Sequence, residues 1–407
     1  MLRPFARDFL REATTGGTAF HVWMGLLTFT MCVGAWAYSV QLAEGLAVTG
    51  MYDSVSWGLY ISNFAFLVGI AAAAVILVLP TYVFHDMDFA RAVLVGEALA
   101  VAALVMALAF VVVDVGGPAR LWHLLPAIGV LNFPRSLLAW DILVLNGYLA
   151  LNLAIPFYIL FSWYCGRQPD KRYYLPFVLL SIGWAVSLHL VTAFLFAGLP
   201  ARPYWNSALL GPRFLATAFA AGPALMIIVL AALRRFAGVA VLDATIEKLA
   251  LVVTIAAQIT IVMLVSELFT EFYRTTDHSL SAQYLFFGLD GHRALVPWIW
   301  TSIGLSVAAT LALSIHQVRR RPRALYAACA ALVVAIEIEK GMGTIVPGFT
   351  PEPWGKVVEY SPTWVEWTVS LGILALGCFV FTVLTKAAAA IESGRLRAGD
   401  GLSNSPL

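Results

Sequence analysis

Ten apolar stretches, each of a length to cross about 30 Å of hydrocarbon as a helix, recur along this 407-residue chain. They fall near 20–42, 57–82, 92–113, 138–162, 173–198, 210–233, 246–268, 294–316, 324–339 and 363–385, the ninth being the shortest. Inside a bilayer every backbone N–H and C=O must find a partner within the protein, so a run of such segments admits one class. The expectation is an all-α integral membrane protein with two helical bundles. Charged residues make up 12% of the chain, against about 25% in a soluble domain, so most of the surface is made for lipid. Prolines inside the spans (Pro80, Pro156, Pro176, Pro223 and Pro297) fit this class, because neighbouring helices can satisfy the carbonyls they free. The net charge is only +2 and no basic stripe is present, which excludes a nucleic-acid surface.

Orientation follows from the basic residues. Of the 25 Lys and Arg residues, 17 fall on the side that carries the N-terminus and 8 on the other. Both termini are therefore expected in the cytoplasm. The chain divides into a cytoplasmic segment 1–19, a first set of spans over 20–205, a second bundle over 206–385 and a cytoplasmic tail 386–407. The first apolar run exceeds the h-region of a signal peptide and reads as a retained helix. The four later loops of the outer face are long and rich in Trp, Pro, Arg and Gly. That composition fits a structured docking surface, or ordinary interfacial anchoring.

An ionisable group inside a membrane span costs about 2.5–3.5 kcal/mol on insertion scales, so each one is a candidate for function. Glu97 lies within the third span and Asp114 closes it. Asp141 sits one turn into the fourth, His189 in the middle of the fifth, and Glu267 at the end of the seventh. Glu337 and Glu339 end the ninth. Asp114, Arg120, His123 and Asp141 gather around one outer loop, where carboxylate, guanidinium and imidazole can hold and pass protons. The alternative is a structural Asp114–Arg120 ion pair. At the start of the second span, Trp57 precedes Tyr60 and Asn63, which share one helix face and can hydrogen-bond a ligand or anchor the interface. His189 has no second mid-span histidine, so haem is disfavoured. The four cysteines, Cys32, Cys165, Cys329 and Cys378, form no CxxC, iron–sulfur or zinc pattern, which assigns any cluster to a partner and leaves no metal site here.

The stretch WGLYISNFAFLVGIAAAA (57–74) resembles the signature helix of the NrfD/PsrC family of membrane oxidoreductase subunits. DVGGPARLWH (114–123) is similar to that family's Asp-x-Gly-x-Pro-x-Arg loop, and SLLAWDILVLNGYLALN (136–152) to its fourth-helix pattern. Residues 187–227, 267–279 and 340–355 resemble the ten-helix branch that includes DsrP-, HmcC- and HybB-type subunits.

The resemblance implies a quinone-interacting subunit, using menaquinone or ubiquinone and carrying no iron–sulfur cluster of its own. It implies a four-cluster ferredoxin-like subunit on the periplasmic side, a multihaem cytochrome c and further membrane subunits, in a sulfur- or sulfite-linked anaerobic respiratory complex. On this reading Asp114, His123 and Arg120 are catalytic, while Tyr60, Asn63, Trp57 and Asp141 bind quinone. Proton translocation would use Glu97, Asp141, His189 and Glu267. Gly117 departs from the pattern, since many members carry Arg there. Other classes stay open: a haem b anchor, a proton channel or secondary transporter, and a purely structural anchor.

Overall fold

A computed structural model describes residues 1–72, 74–86, 88–125, 128–239, 241–273, 277–352 and 354–398. Arg274, in one of the outer loops, lies outside the described residues, as does Ala73 of the alanine run. Among the described residues fourteen α-helices follow one another. They are α1 (Leu2–Thr14), α2 (Thr18–Glu44), α3 (Leu59–Ala72), α4 (Val75–Tyr82), α5 (Ala90–Asp114), α6 (Leu137–Tyr164) and α7 (Lys171–Ala197). After these come α8 (Leu210–Ala232), α9 (Asp243–Tyr273), α10 (Asp277–Phe286), α11 (Val296–Ser314), α12 (His316–Arg319), α13 (Pro322–Lys340) and α14 (Trp364–Glu392). Among the described residues no strand forms beyond a single bridge, Leu289 to His292.

Nine spans among the described residues are long and apolar enough to cross a bilayer, with α3 and α4 together supplying one. The ninth expected span forms as α13 but is not among the nine: its 19 residues hold Arg323, Glu337, Glu339 and Lys340. Those charges are tolerable because Glu339 and Lys340 are buried inside protein.

Helix α3 is the hub. In the α3–α4 span 81% of the most apolar stretch is buried, against 11% in α2. Its neighbours are α5, α7, α8, α13 and α14. One group gathers α2, α3, α5, α6, α7 and α14, a second α8, α9, α11 and α13, and they meet where α8 packs on α3 and α7. The expected second bundle of 206–385 therefore loses its last member, since α14 returns to pack on α2 and α5. The reason is local. Gly34 of α2 and Gly372 of α14 lie back to back, and a Cβ added to Gly34 would come within 2.6 Å of the Gly372 Cα. Only two glycines let the backbones approach so closely.

The first helix and the last described residues lie at one end of the molecule. The Ala398 N–H donates to the Tyr164 carbonyl (2.9 Å), the Tyr164 hydroxyl donates to Asp8 (2.5 Å), and Lys386 donates to the Glu12 carbonyl (2.6 Å). The opposite end is built from the longer loops, knotted by Glu366. Its carboxylate accepts from the Gly50 N–H (2.7 Å), the Thr363 N–H (2.9 Å) and the Tyr360 hydroxyl (2.5 Å). The Tyr360 oxygen accepts in turn from the Leu59 N–H (2.7 Å), fixing the start of α3.

Candidate functional site

Two groups of candidate residues occupy opposite sides of α3 at the loop-rich end. On the first side, the Tyr60 hydroxyl donates to the Gln41 carbonyl oxygen (2.7 Å), and the Gln41 amide donates to the Val113 carbonyl (2.7 Å). This ties α3 to α2 and to the end of α5, where Asp114 sits. Asp114 is within electrostatic reach of Tyr60 and Glu366, and its Oδ1 is buried without a hydrogen-bond partner. Asn63 reaches the Ser370 hydroxyl of α14 (3.4 Å). Burial and the adjacent Glu366 carboxylate push the Tyr360 hydroxyl well above the usual range, so it remains an O–H donor.

The second side is aromatic. Trp57 stacks on Trp205 (centroids 5.9 Å apart) and meets the rings of Phe196 and Phe349 edge to face. Trp205 is held by an indole N–H bond to the Thr344 carbonyl (2.7 Å). It fits there because residue 348 is glycine; a Cβ at that position would overlap the indole ring. Above these rings a cavity of about 310 Å³ opens between Trp57, Leu199, Arg202 and Phe349. The Arg202 guanidinium lies over the Phe349 ring (4.7 Å) and donates to the Phe349 carbonyl (3.0 Å). Partial burial draws Arg202 below its ordinary value, opposed by the charge of Glu352.

Below the cavity, Phe196, Thr192 and His189 follow one another on the buried face of α7 at helical spacing. The Thr192 hydroxyl donates to the Asp141 carboxylate across to α6 (2.7 Å), and both residues are buried. His189 Nδ1 lies 3.0 Å from the Ala185 carbonyl, and its Nε2 is buried without a hydrogen-bond partner. From Phe196 to His189 this column descends about 10 Å at 1.5 Å per residue. Its chemical capacity is clear: an aromatic slot for a flat ring, a guanidinium beside it, and a buried carboxyl and imidazole beneath.

The residues expected at one site therefore divide. Tyr60 and Asp114 come together, Trp57 and Asp141 belong to the α7 side, and Arg120 and His123 lie exposed on a short 3₁₀ turn (Pro118–Leu124). His123 stacks on Trp122 (3.8 Å), and among the described residues no hydrogen bond or ion pair joins it or Arg120 to Asp114. Glu267 is ion-paired with Arg213 of α8, which also holds Glu339 of α13 (2.8 Å). Glu97 sits far from both groups, in a cavity at the other end. Gln41, Thr192 and Phe349 do not stand out in the sequence, and Arg202 does so only as one Arg of a long outer loop. Of the first three, only Thr192 carries a signal there, being three residues from His189 and so on the same helix face.

Residues 47–343 match the family described as polysulphide reductase, NrfD. A putative dimethyl sulfoxide reductase membrane subunit of Halobacterium salinarum is 26% identical, covering 89% of this chain and 90% of its own. A selenate reductase subunit of Mesobacillus selenatarsenatis is 24% identical, covering 88% and 91%. An Hdr-like menaquinol oxidoreductase integral membrane subunit of Archaeoglobus fulgidus is 22% identical, covering 90% and 92%.

Proposed function

Because this chain belongs to the NrfD polysulphide reductase family, we propose that it is the quinone-interacting membrane subunit of a multi-subunit oxidoreductase. Relatives aligned over nearly their whole length are named as membrane subunits of reductases, and one of them as part of a menaquinol oxidoreductase. The observation that carries the reading is the α7 column, in which Phe196, packed against Trp57 of the slot, is one helical turn from Thr192, whose hydroxyl holds the buried Asp141, with His189 a further turn along.

The ring, menaquinone or ubiquinone, binds in the slot with a face against Trp57 or Phe349. Arg202 donates to one ring oxygen and stabilises the negative charge that builds there as electrons arrive. Two electrons move with two protons, and Asp141 exchanges one of them, oriented by the Thr192 hydroxyl, with His189 next along the path. Asp114, with Tyr60 and Gln41, is a second proton holder on the other side of α3. Electrons pass to or from an iron–sulfur subunit docked on the loop-rich end, where the exposed Arg120 and His123 meet it. That end faces the periplasm and both termini the cytoplasm, following the excess of basic residues beside the termini. A multihaem cytochrome and further membrane subunits complete the assembly. Stretch 187–227 favours the sulfur-linked, DsrP-like branch, with the terminal substrate set by the partners.

Asp141→Asn keeps the shape and removes the exchangeable proton. In the assembled complex it lowers quinone turnover about 100-fold while bound quinone is retained. Unchanged turnover would remove Asp141 from the mechanism.

A further inference from the structure

A cavity of about 720 Å³ lies at the end of the molecule that carries α1 and the last turns of α14. Its walls come from α5, α6 and α14, and α1 lies across its mouth. Phe5 of α1 meets Phe157, Phe161 and Tyr164 edge to face. With Asp8 bonded to Tyr164 and Lys386 to the Glu12 carbonyl, α1 is a fastened wall.

The lining is apolar except at one place. Glu97 faces the cavity from α5, 3% exposed, and its Oε2 is buried without a hydrogen-bond partner. Asn152 of α6 stands in the same wall, its amide donating to the Tyr148 carbonyl (2.9 Å). A buried polar oxygen left unpartnered is costly, so a carboxyl held in such a place looks for a ligand. Glu97 is seven residues into α5, or about 10 Å below its start.

We infer that this cavity is a second binding site for a quinone or quinol, with a ring oxygen bonded to Glu97 and an isoprenoid tail along α1 and α6. A volume of this size holds a ring and a short tail. Among the described residues no Lys, Arg or His lines it, which leaves a lipid phosphate without a partner in that lining. A plain acyl chain offers nothing to the Glu97 oxygen, whereas a quinol hydroxyl donates to it and a quinone carbonyl accepts from its acid form. The site is separate from the slot at Trp57, lying at the opposite end of the bundle, and each can fail without the other.

The test is photolabelling of the full chain in lipid nanodiscs with an azido-ubiquinone, mapped by peptide mass spectrometry. The expected result is label on peptides 2–10 and 150–160, competed away by unlabelled ubiquinone. That label falls at least tenfold in Glu97→Ala, stays within threefold in Glu97→Gln, and falls at least tenfold in Ala98→Phe, which puts a ring into the cavity. If Ala98→Phe fails to fold, the two Glu97 variants decide alone. Label confined to peptides around Trp57 and Arg202 overturns the second site and leaves the slot standing. Label at 2–10 and 150–160 that ubiquinone does not displace, while a diazirine phosphatidylcholine labels them, makes the cavity an acyl-chain groove and also overturns it.

Discussion

Glu366 shows how much one side chain organises here. It caps α14 together with Thr363, closes the loop at Gly50 and orients Tyr360, which in turn holds the first N–H of α3. Glu366→Ala leaves buried donors at Gly50 and Tyr360 unpaired and should destabilise the detergent-solubilised protein by about 3 kcal/mol. Glu366→Gln, which keeps an acceptor, should lose less than half of that in the same chemical denaturation. Thr192→Val tests the orienting role proposed for the hydroxyl on Asp141: turnover falls about tenfold, less than in Asp141→Asn. Equal activity in Thr192→Val and the wild type would leave the hydroxyl as packing. At this scale the sequence exposed the acids and histidines, because an ionisable residue in an apolar run stands out. Their partners were far less visible, Thr192 only through its spacing from His189. Thr192 and Gln41 are ordinary neutral residues, and Arg202 and Phe349 meet across 147 positions of chain.

At the scale of elements, the length of apolar runs placed every expected span on helix, with the start within three residues and the end up to seven short of the helix, and with the second span divided between α3 and α4. Pairing between helices was less legible, as it depends on contacts distant in sequence. Gly34 and Gly372 are the clearest case, since two lone glycines 338 positions apart give no sign of touching. Gly372→Leu drives a side chain into the α2 backbone. It should cost about 1–3 kcal/mol, seen as a lowered unfolding midpoint, while Gly377 and its neighbours on α14 keep their helical signal. One charge from α8, one from α9 and one from α13 meet in a buried cluster, Arg213 with Glu267 and Glu339. Arg213→Leu strands two carboxylates and should destabilise by about 3–5 kcal/mol. The triple variant Arg213→Leu, Glu267→Gln, Glu339→Gln should recover most of the loss. A triple variant no more stable than the single one would mean that the ions themselves, and not their pairing, are needed.

Across the whole molecule, α3 separates two polar groups at the loop-rich end, and α14 binds the two ends of the chain into the first bundle. The sequence indicated which end carries the long loops. It did not reveal that α1 walls a cavity at the other, because the amphipathic spacing of Phe5 and Phe9 looks the same on any surface helix. Quinone exchange within a complex is what the proposed slot and its proton holders would serve. The most direct measurement is purification of the tagged chain in mild detergent, with co-purifying subunits identified by mass spectrometry and extracted quinone quantified. The expected result is an iron–sulfur subunit and bound menaquinone or ubiquinone, with quinone content reduced in a Trp57→Ala, Arg202→Ala double variant that still assembles. A monodisperse, partner-free protein without quinone would contradict quinone exchange as its role.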